Sequence, residues 1–353
     1  MSDLKSSALA DSKSALATTI GLPILVLAIS LVATLVAWYT LRDATARNVK
    51  TQFEASEQRS MEEIEHRMRA YEHTLRAVAG MFSRATKLER NEWHDFVAEL
   101  ELDRYYPGIQ AIGYAEVIKP RELERHLARI RGEGFKDYAI RPEGARDIYT
   151  AISYVEPFSG VNLRALGYDM FAETTRRAAM ERARDTGEAA LSGKVVLIQD
   201  TEQTKKQAGT LLYLPVYRLG VALNSVHARR AAVRGYVYAA FRMTDLITNV
   251  LGKGFSKIDL EIFDGVQATR PSLLFDGDGV LNTFVNGDTA RLQGSKRISV
   301  AGQPWKLMFL ADPGFHGAPY GITPGLALLG GMLMSLLLFG MTWLQANTRA
   351  QAQ

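Results

Sequence analysis

The sequence predicts an α+β protein in which a long amino-terminal stalk helix leads into two small modules of antiparallel sheet with flanking helices, bracketed by two transmembrane helices. Three observations predict this arrangement. Apolar stretches cover residues 17–41 and 322–344, and each can cross a bilayer with no charged side chain in its middle. Heptad-spaced apolar residues follow the first stretch. Short strand-like segments separated by turns then fill the chain up to the second stretch.

Composition and charge exclude several classes of protein. The net charge is +4 over 353 residues, and basic residues alternate with acidic ones, so no basic stripe for nucleic acid is expected. Cysteine is absent, which excludes disulfides, thiolate catalysis and thiolate metal sites. Neither a Ser-His-Asp triad nor a zinc-hydrolase motif can be placed. We therefore expect no enzyme activity, metal site or cofactor in this chain.

The first apolar stretch has the character of an uncleaved membrane anchor that follows a short tail, residues 1–16. It is too long for a typical cleaved signal peptide, and Trp38, Tyr39 and Arg42 mark a membrane interface at its end. Basic residues on both flanks leave its orientation undecided by charge. Because residues 322–344 form a second span, both termini are expected on the same side, and 345–353 begin an output helix there.

Residues 42–104 are predicted to form the stalk helix and a helical hairpin. The stalk carries a narrow apolar stripe at steps of three and four residues, made of Met61, Ile64, Met68, Tyr71, Leu75, Val78 and Phe82. This stripe either pairs with its copy in a dimer or packs against the chain's own modules, and the pattern fits both arrangements. A capping box from Thr86 to Glu89 predicts the start of a second helix.

Two sheet modules are predicted, over residues 105–230 and 231–321. The first is expected to hold strands at 109–118, 138–141, 149–156, 194–199 and 211–217, with helices at 120–131 and 174–184. The second is expected to hold a helix from Thr244 and strands at 235–241, 259–263, 272–275, 296–300 and 305–310. The acidic run at 276–279 has only part of a calcium loop, and we interpret it as a turn.

Five sequence segments carry a resemblance to a known family through their order and spacing. They are YPGIQAIGY at 106–114, EP at 156–157, LGYD at 166–169, RARDTG at 182–187 and LPVY at 214–217. Together they make the chain similar to CHASE sensory domains. These domains are the extracellular or periplasmic ligand-sensing modules of plant cytokinin receptor kinases and of bacterial histidine kinases and diguanylate cyclases.

The resemblance implies that both sheet modules are PAS-like and that the module at 105–230 lies distal to the membrane and holds the ligand. It also implies a sensory part outside the inner (plasma) membrane, with cytoplasmic tails. We expect a homodimer joined along the stalk and the spans, with a cytoplasmic kinase or cyclase of a two-component system as the output partner.

The resemblance also assigns ligand-binding residues. Asp169 corresponds to an aspartate that accepts hydrogen bonds from the purine of a cytokinin, and Tyr168 and Met170 flank it in the same pocket. Leu191 corresponds to an apolar wall of that pocket. Thr201 corresponds to a polar contact with the ligand.

Asp169 has a second interpretation that depends on its neighbours in the chain. Its carboxylate can pair with Arg164 or Arg177, or it can cap the helix that begins near Thr174. Arg164 itself either faces an anionic ligand or lies on the surface. The sequence leaves these alternatives open.

From these features we expect a membrane-anchored sensor that binds a small molecule, such as a cytokinin-like adenine derivative, in the distal module. The signal is expected to pass through the second transmembrane helix. Two alternatives stay open. The chain can be the amino-terminal sensory part of a truncated histidine kinase or diguanylate cyclase, or it can be a two-span scaffold for a separate signalling partner.

Overall fold

The computed structural model describes residues 3–85, 88–200, 207–252, 257–281, 291–312, 314–315 and 324–351. The chain divides into two units, one formed by 1–54 with 315–353 and the other by 55–314. Helix α1 (Asp3–Arg84) contributes to both units, and helix α8 (Pro324–Gln351) belongs to the first.

The first unit holds the two helices that are long and apolar enough to cross a membrane, judged by length and composition. Small residues lie where these helices meet. A Cβ added to Gly331 of α8 would collide with the side chain of Thr34 on α1, and Ser335, one turn further along, is buried. Such residues let two apolar helices approach closely, as they do in membrane helix pairs.

The apolar stripe of α1 packs against the chain's own modules, as in one of the two predicted arrangements. Six of its seven residues are buried, from Ile64 to Phe82, and Met61 is half-buried. The Tyr71 hydroxyl donates a hydrogen bond of 2.6 Å to the carbonyl of Pro107, and burial raises the pKa of Tyr71 to about 12. The ring of Phe82 stacks on that of Tyr114 at 4.1 Å. The stalk is therefore part of the core of this unit.

Two further helices follow α1. They are α2 (Arg90–Glu99) and the short α3 (Leu102–Tyr105). A capping box at the start of α2 joins Glu89 and Glu92, three residues beyond the predicted box. Thr86 and Lys87, with which the predicted box begins, lie outside the described residues.

The first module is built on a five-stranded antiparallel sheet in the order β2-β1-β5-β4-β3. The strands are β1 (Ile109–Ile118), β2 (Tyr149–Glu156), β3 (Ala190–Leu191), β4 (Gly209–Tyr217) and β5 (Val233–Arg242). Three helices flank the sheet, α4 (Leu123–Gly132), α5 (Thr174–Thr186) and α6 (Val226–Ala232). The first two strands and α5 start at the predicted residues because their turn and capping signals are local.

The boundary predicted at residue 230 is wrong by one strand. Strand β5 was expected to open the second module, but it lies at the centre of the first sheet, between β1 and β4. After α6 the chain re-enters the sheet it has just left. Every residue from Gly235 to Phe241 is buried there, a pattern typical of a central strand.

Two segments predicted as strands, 138–141 and 194–199, are not strands. The first makes a single bridge outside the sheet, and the second is joined to it by one bridge at Val195. The chain then turns through a 3₁₀ helix that ends at Asp200, whose buried carboxylate binds the guanidinium of Arg242. The extended conformation that the apolar run suggested thus ends at the 3₁₀ helix, and Asp200 at its end pairs with Arg242.

The second module is a four-stranded antiparallel sheet in the order β7-β6-β9-β8. Helix α7 (Met243–Leu251) leads into it, followed by β6 (Ile258–Asp264), β7 (Leu273–Asp276), β8 (Gln293–Val300) and β9 (Gln303–Ala311). Trp305, Phe309 and Phe263 are buried in its core. A long amino-terminal helix, two antiparallel sheets with helices and a carboxy-terminal apolar helix confirm the predicted α+β fold class.

Candidate functional site

One face of the first sheet encloses a small cavity beside α5. Strand β1 contributes Ala111, Gly113 and Ala115 to this face, and the Tyr238 side chain packs closely over Gly113. The cavity has a volume of about 10 Å³, enough for about one water molecule. Its lining among the described residues is Ile152, Ala165, Tyr168, Met170, Arg176, Leu197, Ile198, Gln199, Leu211, Tyr238 and Ala240.

Arg176 is the one charged residue in this described lining. It lies in the first turn of α5 and is only 3% exposed. Its Nη2 donates to the carbonyl of Val196 at 2.7 Å, and its Nη1 lies 3.4 Å from a carboxylate oxygen of Glu173 and 3.5 Å from the Tyr168 hydroxyl. Its Nε has no hydrogen-bond partner within the described chain. A buried cation therefore keeps one donor unused at the cavity.

Glu173 compensates the charge of Arg176 only in part. Its carboxylate caps α5 by accepting the backbone N–H groups of Thr175 at 2.8 Å and Arg176 at 3.0 Å. Burial alone would raise the pKa of Glu173, but these N–H groups and the Arg176 guanidinium hold it below its usual value. The carboxylate is thus ionised, partly exposed to solvent and shared among several donors.

Three tyrosines stand on the same face of the sheet, Tyr213 on β4 and Tyr236 and Tyr238 on β5. Each hydroxyl is buried, and none has a hydrogen-bond partner among the described residues. Burial raises the pKa of all three, so the hydroxyls stay protonated and can donate. Tyr238 lines the cavity, and its ring lies 6.4 Å from that of Tyr213.

Asp169 lies next to the cavity but is not part of its described lining. Its fully buried carboxylate accepts the backbone N–H of Thr150 at 2.8 Å and that of Phe171 at 3.1 Å, both on Oδ1. Its Oδ2 lies 3.4 Å from Nε of Arg146. Asp169 therefore caps the 3₁₀ helix Met170–Ala172, whereas α5 is capped by Glu173. Its cation is Arg146, which the sequence did not suggest.

The other predicted ligand residues are spread over the module. Tyr168 and Met170 line the cavity. Leu191 is buried on the opposite face of the sheet, since it stands opposite Leu212, whose neighbours Leu211 and Tyr213 face the cavity. Arg164 is half-buried outside the described lining, and Thr201 lies outside the described residues.

Sequence reasoning missed the polar residues of this face, although two signals were present. Arg176 opens the buried stripe of α5 that continues with Ala179, Met180 and Ala183, and a cation on a buried helix face requires a partner. Tyr236 and Tyr238 alternate along a buried strand. Both signals needed the sheet order, because β5 was assigned to the other module.

Comparison with known proteins decides the family. Residues 86–275, more than half of the chain, match the CHASE domain. The chain belongs to the CHASE domain family. It is 25% identical over 370 residues to Hybrid signal transduction histidine kinase A of Dictyostelium discoideum, covering 94% of this chain and 16% of that protein. It is 25% identical over 203 residues to Probable histidine kinase 6 of Oryza sativa subsp. japonica, covering 56% of this chain and 20% of that protein.

The CHASE chain thus spans a fifth or less of the length of these curated relatives. Among solved structures it is similar to the periplasmic sensory domain of the Campylobacter jejuni chemoreceptor Tlp1. The TM-score is 0.41 at 9% identity, with 79% of this chain and 98% of that chain covered.

The two sheets of the CHASE unit are joined beside β3. The backbone N–H of Leu191 donates to the carbonyl of Ala301, in the turn between β8 and β9, at 3.0 Å. The carbonyl of Leu191 accepts from Nη2 of Arg182 on α5 at 2.6 Å. Burial lowers the pKa of Arg182. One edge of the first sheet is therefore hydrogen-bonded to the second sheet and to α5 at once.

A second connection follows three residues later and depends on one carboxylate. The backbone N–H of Lys194 donates to Oδ2 of Asp264, at the end of β6, at 2.8 Å. The Gln303 side chain donates to the other oxygen of Asp264 at 2.7 Å. A Cβ added to Gly193 would lie 2.8 Å from Oδ2 of Asp264, so a larger residue there would require this carboxylate to shift.

An acidic group lies on the second sheet. Asp259, Asp276 and Asp278 place one carboxylate oxygen each within 4.8 Å of one another, a spacing that can hold a divalent cation. Burial, together with the charge of Asp278, raises the pKa of Asp276. Asp276 also accepts the backbone N–H of Gly279 at 2.8 Å, a contact typical of the turn predicted at 276–279.

Proposed function

We propose that this CHASE chain is the sensory part of a membrane-anchored receptor that binds a small molecule in the cavity of the first module. The observation that carries the proposal is the buried face beside α5, where a cavity is lined by an unused Arg176 donor and by the unused hydroxyl of Tyr238, with the unused hydroxyls of Tyr213 and Tyr236 elsewhere on the same face. Natural proteins seldom leave so many buried polar atoms in one place without a role. A ligand with complementary groups would satisfy them.

The proposed signal passes from the cavity to the second sheet through β3 and the residues that follow it. Strand β3 pairs with β4, which contributes Leu211 to the cavity, and its own backbone binds Ala301 across the module boundary. Because the cavity holds about one water, a larger ligand must displace side chains of this face. Such a displacement favours one arrangement of the two sheets only if the ligand binds that arrangement more tightly.

The proposed output is a histidine kinase. The two curated relatives are histidine kinases, and this chain aligns with only a small part of each. The chain would supply sensing, and the phosphotransfer chemistry would belong to another domain. We further propose that the two apolar helices anchor the chain in the inner (plasma) membrane as a homodimer, with residues 55–314 periplasmic or extracellular.

The binding proposal is tested on the full chain in lipid nanodiscs by thermal unfolding, followed through tryptophan fluorescence. Trp93 and Trp305 are buried in the second unit and report on it. A metabolite library that includes adenine-type cytokinins should contain compounds that raise the unfolding midpoint, since a ligand stabilises the state it binds.

The control for this screen is a pair of alanine-to-leucine variants. Ala165 lines the cavity, so Ala165→Leu should fill it and remove the stabilisation by any true ligand. Ala77 is exposed on α1, and Ala77→Leu should leave that stabilisation unchanged. A compound that stabilises Ala165→Leu as much as the wild type binds elsewhere, and a library without any stabilising compound contradicts the proposal.

The membrane placement is tested separately in intact cells. An epitope fused after Gln353 should resist protease added outside, whereas the exposed loop at 218–223 should be cleaved. Cleavage of the epitope with protection of the loop would reverse the orientation.

A further inference from the structure

Two buried polar atoms in the described lining of the CHASE cavity have no hydrogen-bond partner within the described chain, Nε of Arg176 and the hydroxyl of Tyr238, and both can donate. Nε of Arg176 carries a hydrogen and has no acceptor within the described chain. The hydroxyls of Tyr213 and Tyr238 stay protonated because burial raises the pKa of each. No carboxylate belongs to the described lining of the cavity. The described lining therefore offers a positive charge and two unused donors without a carboxylate to receive them.

We propose that the ligand of this cavity is a small organic anion whose carboxylate accepts hydrogen bonds from Nε of Arg176 and from the hydroxyl of Tyr238. The inference rests on the proposed sensory function and specifies the chemical class of its ligand. A planar guanidinium matches a carboxylate in geometry as well as in charge.

An anion fits this site better than a neutral ligand because the charge of Arg176 is incompletely balanced. The nearest carboxylate, that of Glu173, reaches Nη1 at 3.4 Å and already caps the helix. A buried cation is stable in a protein interior only with a counter-charge and hydrogen bonds. The carboxylate of a bound ligand would supply both the counter-charge and the hydrogen bonds.

A purine held by Asp169 fits the geometry less well. Oδ1 of Asp169 already accepts hydrogen bonds from the backbone of Thr150 and Phe171, and Oδ2, which has no hydrogen-bond partner within the described chain, lies 3.4 Å from Nε of the Arg146 cation. It contributes nothing to the described cavity lining. The small volume of about 10 Å³ also favours a ligand of a few heavy atoms, which side chains such as Met170 can accommodate by changing rotamer.

The test compares acids with their neutral amides on the full chain in nanodiscs. Sodium formate, acetate, propionate and butyrate are titrated against the four corresponding amides at constant ionic strength, with adenine and isopentenyladenine as purine probes. At least one carboxylate should raise the unfolding midpoint saturably, by about 5 °C at 100 times its dissociation constant. The amide of the same size should not.

Three variants locate the effect. Arg176→Gln should abolish the response to the carboxylate, and Arg176→Lys should weaken it by keeping the charge without the planar fork. Arg177→Gln removes the same charge from the next residue, which is exposed, and should respond like the wild type. Because the comparison of acid and amide needs only the wild type, the proposal can be refuted even if an Arg176 variant fails to fold.

Several outcomes overturn the inference. They are the absence of stabilisation by any carboxylate, equal stabilisation by acid and amide, or an Arg176→Gln variant that still responds to the acid. A response to the purines alone that disappears in Asp169→Asn would overturn the anionic ligand and leave the proposed sensory function intact. If Ala165→Leu also leaves every response in the wider library unchanged, the sensory cavity itself is refuted.

Discussion

Replacing Asp264 by alanine should loosen the connection between the two sheets of the CHASE unit. The carboxylate accepts the Lys194 backbone N–H at 2.8 Å and the Gln303 side chain at 2.7 Å. Hydrogen bonds to a charged group contribute about 1.5–3 kcal/mol each, and the lower end applies because Asp264 is partly exposed. Loss of both bonds should therefore lower the free energy of unfolding by about 3 kcal/mol.

Two measurements on the full chain in nanodiscs check this value. The unfolding midpoint should fall by about 6–12 °C, the shift that about 3 kcal/mol produces in a domain of this size. Amide hydrogen exchange reports on the contact itself, since the N–H of Lys194 loses its acceptor and should exchange faster. Asp264→Asn keeps one acceptor oxygen and should show a smaller change in both measurements.

The control is Asp147→Ala, which removes an equal charge from an exposed position of the same unit. It should shift the midpoint by less than about 2 °C, as surface substitutions usually do. If Asp264→Ala behaves like this control and exchange at Lys194 stays slow, the carboxylate does not join the two sheets. The proposed route of the signal would then be wrong at this point.

Three other substitutions test the packing of the same unit by thermal unfolding. Gly294→Ala should lower the free energy of unfolding by about 2 kcal/mol or more because its Cβ would collide with the buried Glu57 carboxylate. The double variant with Glu57→Ala should recover part of this loss. No recovery would contradict the contact. Gly113→Ala should lower the free energy of unfolding by a similar amount, since its Cβ would lie 2.7 Å from the Tyr238 hydroxyl and would also meet the backbone of β2. An unfolding midpoint equal to that of the wild type would refute this close approach. Burial opposes ionisation of Glu116, yet hydrogen bonds and ion pairs from α4 hold its pKa below the usual value of 4.5. The ionised Glu116 side chain therefore stabilises the fold above about pH 4.5, and this stabilisation is lost as the pH falls through the lower pKa of the folded state. In Glu116→Gln the unfolding midpoint should fall less steeply with decreasing pH than in the wild type. An unchanged fall would refute the assignment.

Local signals predicted the secondary structure, and they failed where a distant residue decides it. Strands β1 and β2 begin and end at the predicted residues because turns and alternating side chains bound them. The segment 194–199 has the composition of a strand, but it leads into the 3₁₀ helix Ile198–Asp200, where the buried Asp200 pairs with Arg242 from β5. The partner of a buried charge can lie far away in the sequence, so a local sequence pattern does not reveal it.

The site was predicted only in outline for a related reason. The resemblance to the family pointed to the first module, and Tyr168 and Met170 line the cavity there. Arg176 and Tyr238 come from elements separated by two strands in the chain, and only the sheet order brings them together. The sequence prediction placed β5 in the second module and therefore separated Tyr238 from the other residues of this face.

In the proposed signalling route, β3 is the element that would connect the cavity to the second sheet. A two-residue edge strand has few hydrogen bonds of its own, so its place depends on what lies on either side. On one side it pairs with β4, which lines the cavity, and on the other its backbone binds Ala301 of the second sheet. Leu191 faces away from the cavity, and its importance would therefore lie in its backbone. Leu191→Ala should accordingly reduce stability without changing which ligand binds, whereas substitutions at Arg176 should change the ligand preference.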